Sequence, residues 1–133
     1  MERLRERLKV ADKALSTLAE IETLGLPKQA ERDAKIMRFV YTTEAVWRAL
    51  QRYLLVVEGI DLGTPKSCMR GARDAGLLTS EQTKRALAMI DDRNLTVHTY
   101  NETLAQQIAA RIPGHLEAMK SLLAAMWTRV QGC

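Results

Sequence analysis

Cysteine, proline and glycine are all scarce in this chain, and each scarcity removes a class of protein. Two cysteines, Cys68 and Cys133, cannot frame a disulfide-stapled domain or, on their own, a zinc cage. Three prolines and seven glycines allow few turns, so the regular elements should be long. No stretch free of Asp, Glu, Lys and Arg exceeds eight residues, too short to span a bilayer. The opening Met1-Glu2-Arg3-Leu4-Arg5-Glu6 is charged and lacks the apolar core of a secretory signal. A reduced, cytoplasmic setting without membrane contact is the expectation. Also missing are a Gly-rich phosphate loop, Cys-x-x-Cys, His-Glu-x-x-His, a nucleophile elbow, and any Glu three residues before a histidine. Nothing in the sequence calls for a metal or a cofactor.

What remains is ordinary in bulk. The 133 residues are 47% apolar and 27% charged, as in a soluble globular protein, and read as one domain over 1–133. A chain of this size buries on the order of two-thirds of its unfolded surface, enough for one proper core. Twenty Lys plus Arg against sixteen Asp plus Glu give a net charge of +4, compatible with a polyanionic partner without demanding one.

Apolar spacing predicts helices nearly everywhere. Leu4, Leu8, Ala11, Leu15, Leu18 and Ile21 step by three or four toward an exit at Gly25 and Pro27. A second stripe runs through Ile36, Phe39, Val40, Val46, Trp47, Leu50, Tyr53, Leu54 and Val57, with Arg32, Lys35, Arg48 and Arg52 mostly off it on a face expected to be solvated. Thr64-Pro65 reads as a cap followed by proline at the first helical position, opening a short helix that Gly76 stops. Thr79 and Gln82 resemble a capping box, followed by a helix with Leu87, Ile90, Asn94 and Val97 on one line. Asn101 caps a last helix carrying Leu104, Ile108, Ile112, Leu116, Met119, Leu123 and Met126, with a kink or break expected at Pro113. The fold class is therefore all-α: an antiparallel up-and-down four-helix bundle with a short accessory helix.

The densest polar cluster is Asp91 to Glu102, DDRNLTVHTYNE. His98 can act as a general acid or base near neutral pH, and the planar fork of Arg93 can hold a phosphate. Tyr100 offers a hydroxyl. Such groups can cleave RNA without metal, the 2′-hydroxyl serving as nucleophile. The bare Arg-to-His spacing is cheap, however, in a chain with thirteen arginines. Positions five apart on a helix differ by about 140°, so Arg93 and His98 converge only if the helix ends near His98 or two chains meet. Asn94 and His98, four apart, share a face that coincides with the apolar stripe.

Taken singly, each residue has a structural reading as well. His98 can be a satisfied structural histidine, Arg93 can pair with Asp91 or Asp92, and Tyr100 can bond to backbone at a helix junction. His115, beside Pro113 and Gly114, reads as a solvated surface residue, Phe39 and Trp47 as core, and Cys68 as a small buried hydrophobe.

Three segments, ERDAKIMRFVYTTEAVWRALQRYL, TPKSCMRGARDAGLL and DDRNLTVHTYNE, together resemble a known family. It is that of the HEPN-domain nucleotidyltransferase substrate-binding proteins, grouped with the HepT toxins of HepT–MntA toxin–antitoxin pairs. The likeness runs from about residue 28 to about 127. Arg93, Asn94, His98 and Tyr100 match R-N-x-x-x-H-x-Y position by position, and Arg38-Phe39, Glu44 and Trp47 support it. The resemblance implies a HEPN-like bundle that forms a homodimer or higher homo-oligomer, uniting two Arg93/His98 motifs in one cleft. It also implies a metal-independent ribonuclease with Arg93 and His98 catalytic and Asn94 supporting. The implied antitoxin is a minimal nucleotidyltransferase encoded nearby, which moves AMP onto Tyr100. Val40 departs from the pattern, standing where relatives often carry an acid after the Arg-Phe pair. The earlier family name implies an alternative, a non-catalytic subunit that presents substrate to the transferase. A plain structural dimer is a third reading.

Overall fold

The computed structural model describes residues 1–131, so Cys133 lies outside the described residues. Five α-helices follow one another: α1 (Glu2–Ala19), α2 (Lys28–Val57), α3 (Pro65–Asp74), α4 (Ser80–Leu95) and α5 (Glu102–Gln131). Short 3-10 turns occupy Ile21–Leu24 and Thr96–His98. No strand occurs among the described residues.

Side-chain contacts fix the directions. Thr42, Arg38 and Lys35 of α2 bond in turn to Ala14, Thr17 and Glu22, so α1 and α2 are antiparallel. Arg32, Phe39, Thr43 and Tyr53 meet Glu102, His115, Met119 and Arg129, so α2 and α5, the two longest helices, run parallel. The long helices thus alternate in direction along the chain, with α3 as the accessory. The bundle encloses a core of Leu4, Leu8, Phe39, Leu50, Tyr53, Leu54, Met69, Met89, Ile108, Met119 and their neighbours.

Local chemistry sets the ends. Thr64 and Ser67 form a reciprocal capping box at α3, Thr79 and Gln82 another at α4, and Asn101 Oδ1 accepts from the Leu104 amide at α5. Gly76 closes α3 at φ 78, and a Cβ there would stand 3.1 Å from an Arg129 guanidinium nitrogen. Gly71 lets α3 lie close on its neighbours, since a Cβ would fall 2.7 Å from Leu62 Cδ1.

Three expectations are corrected. The α-helical part of α1 stops at Ala19, and the chain narrows to a 3-10 turn before Gly25 reverses it at φ 67. Helix α5 passes through Pro113 unbroken. The missing N–H falls on the exposed side, where water can serve the orphaned carbonyl, while Ile108, Ile112 and His115 hold the other side in the core. On α4 the inward line is Thr83, Ala86, Met89, Ile90 and Asp92, with Leu87 partly buried against the core beside it, whereas Asn94 and Val97 are exposed.

Candidate functional site

The polar cluster sits where α4 ends and the chain turns into α5. Because α4 stops at Leu95 and His98 closes a 3-10 turn, Asn94 and His98 do not share a helical face, and neither is buried. Arg93 is half-buried and has no ion pair or hydrogen-bonded side chain among the described residues. Asp91 is taken by Lys66 and Asp92 by Arg111 and His115, so the expected pairing of Arg93 with Asp91 or Asp92 does not form. Its side chain lines an open concavity of about 700 Å³ with Ile36, Met37, Val40, Tyr41, Thr96 and Thr99, rimmed by Asp33 and Glu44.

His98 and Tyr100 lie outside that concavity. Their rings meet edge-on at 5.9 Å, and the Tyr100 hydroxyl is 3.5 Å from His98 Nδ1, too far for a strong hydrogen bond. Tyr100 is 85% exposed, a position opposite to a junction tyrosine tied down to backbone. The Asn94 side chain is also free of partners among the described residues. Within one chain, then, Arg93 faces the α2 concavity while His98 and Tyr100 stand on the solvent side of the turn. Exposed apolar side chains flank the same region: Met37 at 70%, Tyr41 at 60% and Val97 at 68%.

The residues of the Arg38-Phe39, Glu44, Trp47 pattern build the frame. Arg38 Nη1 donates to the Thr17 carbonyl in the last turn of α1 at 2.7 Å, where a cation suits both the orphan carbonyl and the helix dipole. Phe39 and Trp47 are core, as expected, and Cys68 is a buried thiol whose pKa burial pushes up. Glu44 accepts from Trp47 Nε1 at 2.8 Å and Arg48 Nε at 3.1 Å, with the Arg48 guanidinium 4.2 Å over the indole ring. Most cations of α2 are less free than the expected solvated face: Arg32, Lys35, Arg38 and Arg48 hold carboxylates, whereas Arg52 has no ion pair among the described residues and its buried Nε no hydrogen-bond partner.

One constellation escaped the sequence reading. Asp92 is buried and accepts from Arg111 Nε and Nη2, each at 2.8 Å, and lies 2.6 Å from His115 Nε2. Phe39 stacks on the His115 ring at 5.4 Å. His115 is therefore a core residue, not the expected solvated one. Its place was legible, because Ile108, Ile112, His115 and Met119 follow one helical line. Burial pushes the Asp92 carboxyl up, but the hydrogen bonds from Arg111 and His115 outweigh it and hold the group below the usual aspartate range. The carboxylate in turn raises Arg111. This clamp ties the last turn of α4 to α5 one residue before Arg93.

Among the described residues no group of three or more His, Cys, Asp or Glu side chains could hold a metal ion, and no helix is long and apolar enough to cross a membrane. A search of curated protein sequences gave no match. Among solved structures, a Thermus thermophilus protein is 50% identical, with a TM-score of 0.82 over 87% of this chain and 98% of its own. The Haemophilus influenzae protein HI0074, described as showing the fold of a substrate binding domain of a nucleotidyltransferase, is 24% identical, with a TM-score of 0.70 over 90% and 98%. A tri-AMPylated Shewanella oneidensis HEPN toxin, solved in complex with its MNT antitoxin, shares the fold at 13% identity, with a TM-score of 0.76 over 94% and 96%. The family model described as nucleotidyltransferase substrate binding protein like matches residues 6–128. With nearly the whole bundle inside that match, the chain belongs to the nucleotidyltransferase substrate-binding protein-like family, whose fold is that of the HEPN toxins.

Proposed function

We propose that this single-domain chain is the toxin of a HEPN/minimal-nucleotidyltransferase pair and that it cleaves RNA without metal. The observation that carries the reading is Arg93. It is a half-buried guanidinium with no counter-ion among the described residues, facing an open groove one turn from an exposed histidine. A charge held this way is poised for an anion from outside.

Two chains pair across the exposed apolar face of Met37 and Val97, beside the half-buried Val40, and the pairing brings an Arg93 and a His98 from each copy to one cleft. One His98 takes the proton of the RNA 2′-hydroxyl, whose oxygen attacks the adjacent phosphorus. The 5′-oxygen leaves with a proton from the second His98, giving a 2′,3′-cyclic phosphate and a free 5′-hydroxyl. Arg93 neutralises the charge that gathers on the phosphoryl oxygens, and Asn94 orients His98 or the substrate. The exposed Tyr100 hydroxyl loses its proton and attacks the α-phosphorus of ATP held by the partner transferase, so that AMP is joined to the tyrosine oxygen and pyrophosphate leaves. The added phosphate and nucleoside stand beside His98 and repel or block the RNA backbone.

The test is incubation of labelled RNA with purified protein in EDTA. Loss of cleavage in both His98→Ala and Arg93→Ala supports the reading, and unchanged cleavage in either overturns the assignment. Co-expression with the neighbouring transferase should add whole AMP increments to the intact mass, absent in Tyr100→Phe. The family description itself favours a second reading, a non-catalytic subunit that completes the transferase's substrate pocket. An absence of RNA cleavage, together with a stable complex that alters transferase activity, would select it.

A further inference from the structure

The distribution of unpaired cations points to a second anion-binding surface. All five cations of α1, Arg3, Arg5, Arg7, Lys9 and Lys13, have no ion pair among the described residues, although Glu2 and Glu6 stand among them. By contrast, four of the six cations on α2, Arg32, Lys35, Arg38 and Arg48, are paired, leaving Lys28 and Arg52 without an ion pair among the described residues. Arg3–Arg7, Arg5–Lys9 and Lys9–Lys13 are like charges at i,i+4, a spacing that disfavours the free helix and is relieved by an anionic ligand. The positive end of the helix dipole adds to the same potential.

Arg3 and Arg7 face a groove of about 420 Å³ between α1 and α2, lined also by Val10, Tyr41, Ala45 and Arg48. Glu6 and Glu44 line it too, but the charge of Glu44 is already answered by Arg48. Tyr41 and Glu44 also line the concavity that holds Arg93, so the two depressions adjoin along α2. Tyr41 is a largely exposed aromatic face on the ridge between them. Cationic side chains along a groove beside an exposed ring are the two elements of single-strand recognition.

We propose that the α1–α2 groove is an extended subsite for single-stranded RNA flanking the cleaved phosphodiester. Arg3 and Arg7 engage phosphates, and Tyr41 stacks on a base. The inference rests on the ribonuclease reading but names a different surface, which touches no group of the reaction.

The test uses a fluorescein-labelled single-stranded RNA dodecamer and the full chain carrying His98→Ala to prevent cleavage. Adding Arg3→Gln and Arg7→Gln should weaken binding about tenfold and lower the slope of log affinity against log salt by about 1.4, the value for two lost single-strand phosphate contacts. Arg85→Gln with Lys120→Gln, on exposed positions of α4 and α5, should stay within about twofold. In the cleavage-competent chain, Arg3→Gln/Arg7→Gln should raise KM for the dodecamer and leave kcat unchanged, while a dinucleotide is cut as before. Equal losses in both variant pairs, or no loss in the first, overturn the subsite. So does retained RNA binding with lost transferase association, which assigns the groove to the protein partner. Because the anisotropy readout needs no turnover, a chain that binds through the groove but cleaves nothing defeats the ribonuclease reading alone.

Discussion

Arg93 carries its charge without a counter-ion among the described residues, so its removal should be nearly silent in folding and decisive in function. Arg93→Ala is expected to change stability by less than about 0.5 kcal/mol and to abolish cleavage. Arg93→Lys should recover little, since an ammonium lacks the planar fork. A urea melt beside the RNA assay checks both halves, and a large stability loss would make Arg93 structural. Asp92, its neighbour, should behave in the opposite way. Its carboxyl is held below the usual range, so the stabilisation it contributes is full above about pH 4 and is lost as pH falls through the folded value. Asp92→Asn should cost about 2–3 kcal/mol at neutral pH, and the gap from wild type should shrink near pH 3. Melts that differ equally at both pH values would refute the clamp. Sequence alone could not separate Asp91 from Asp92. Two adjacent acids look alike until α5 arrives with Arg111 and His115 at i,i+4, and only then does one turn inward.

Helix ends were the most legible features, because they are settled within four residues. The Thr64 and Thr79 caps, the Asn101 cap and the Gly76 stop all rest on local hydrogen bonds or local φ. Thr79→Ala removes an acceptor from the Gln82 amide at 3.1 Å. It should cost about 1 kcal/mol, or about 4 °C in Tm; a scanning calorimetry trace with no shift would contradict the box. Faces were less legible where helices run out of partners. Val97 continues an apolar spacing from Ile90, yet α4 ends at Leu95, and the periodicity beyond it has nothing to pack against. Pro113 misled for the converse reason: its local penalty is real, but tertiary packing on the opposite side of α5 carries the helix through.

At the scale of the molecule, the bundle and its accessory helix follow from apolar spacing, whereas the completeness of the site does not. Arg93 and His98 lie on different sides of one turn, and the exposed Met37 and Val97 leave an apolar face that a second copy would cover. Met37→Glu should therefore halve the mass seen by light scattering and abolish cleavage together, leaving the melting temperature of the monomer nearly unchanged. A wild-type chain that runs as a monomer and still cuts RNA would remove the need for pairing.

Successive residues of a helix point about 100° apart, so the direction of Arg93 is fixed once Asp92 is anchored inward. The orientation of the Arg93 side chain is thus governed from behind, by an arginine and a histidine on α5 that lie away from the groove. Evolution acting on Arg111 or His115 would therefore tune the site as surely as changes at its mouth. On the ribonuclease reading, a molecule that wedged α4 away from α5 would disarm the site without competing for RNA.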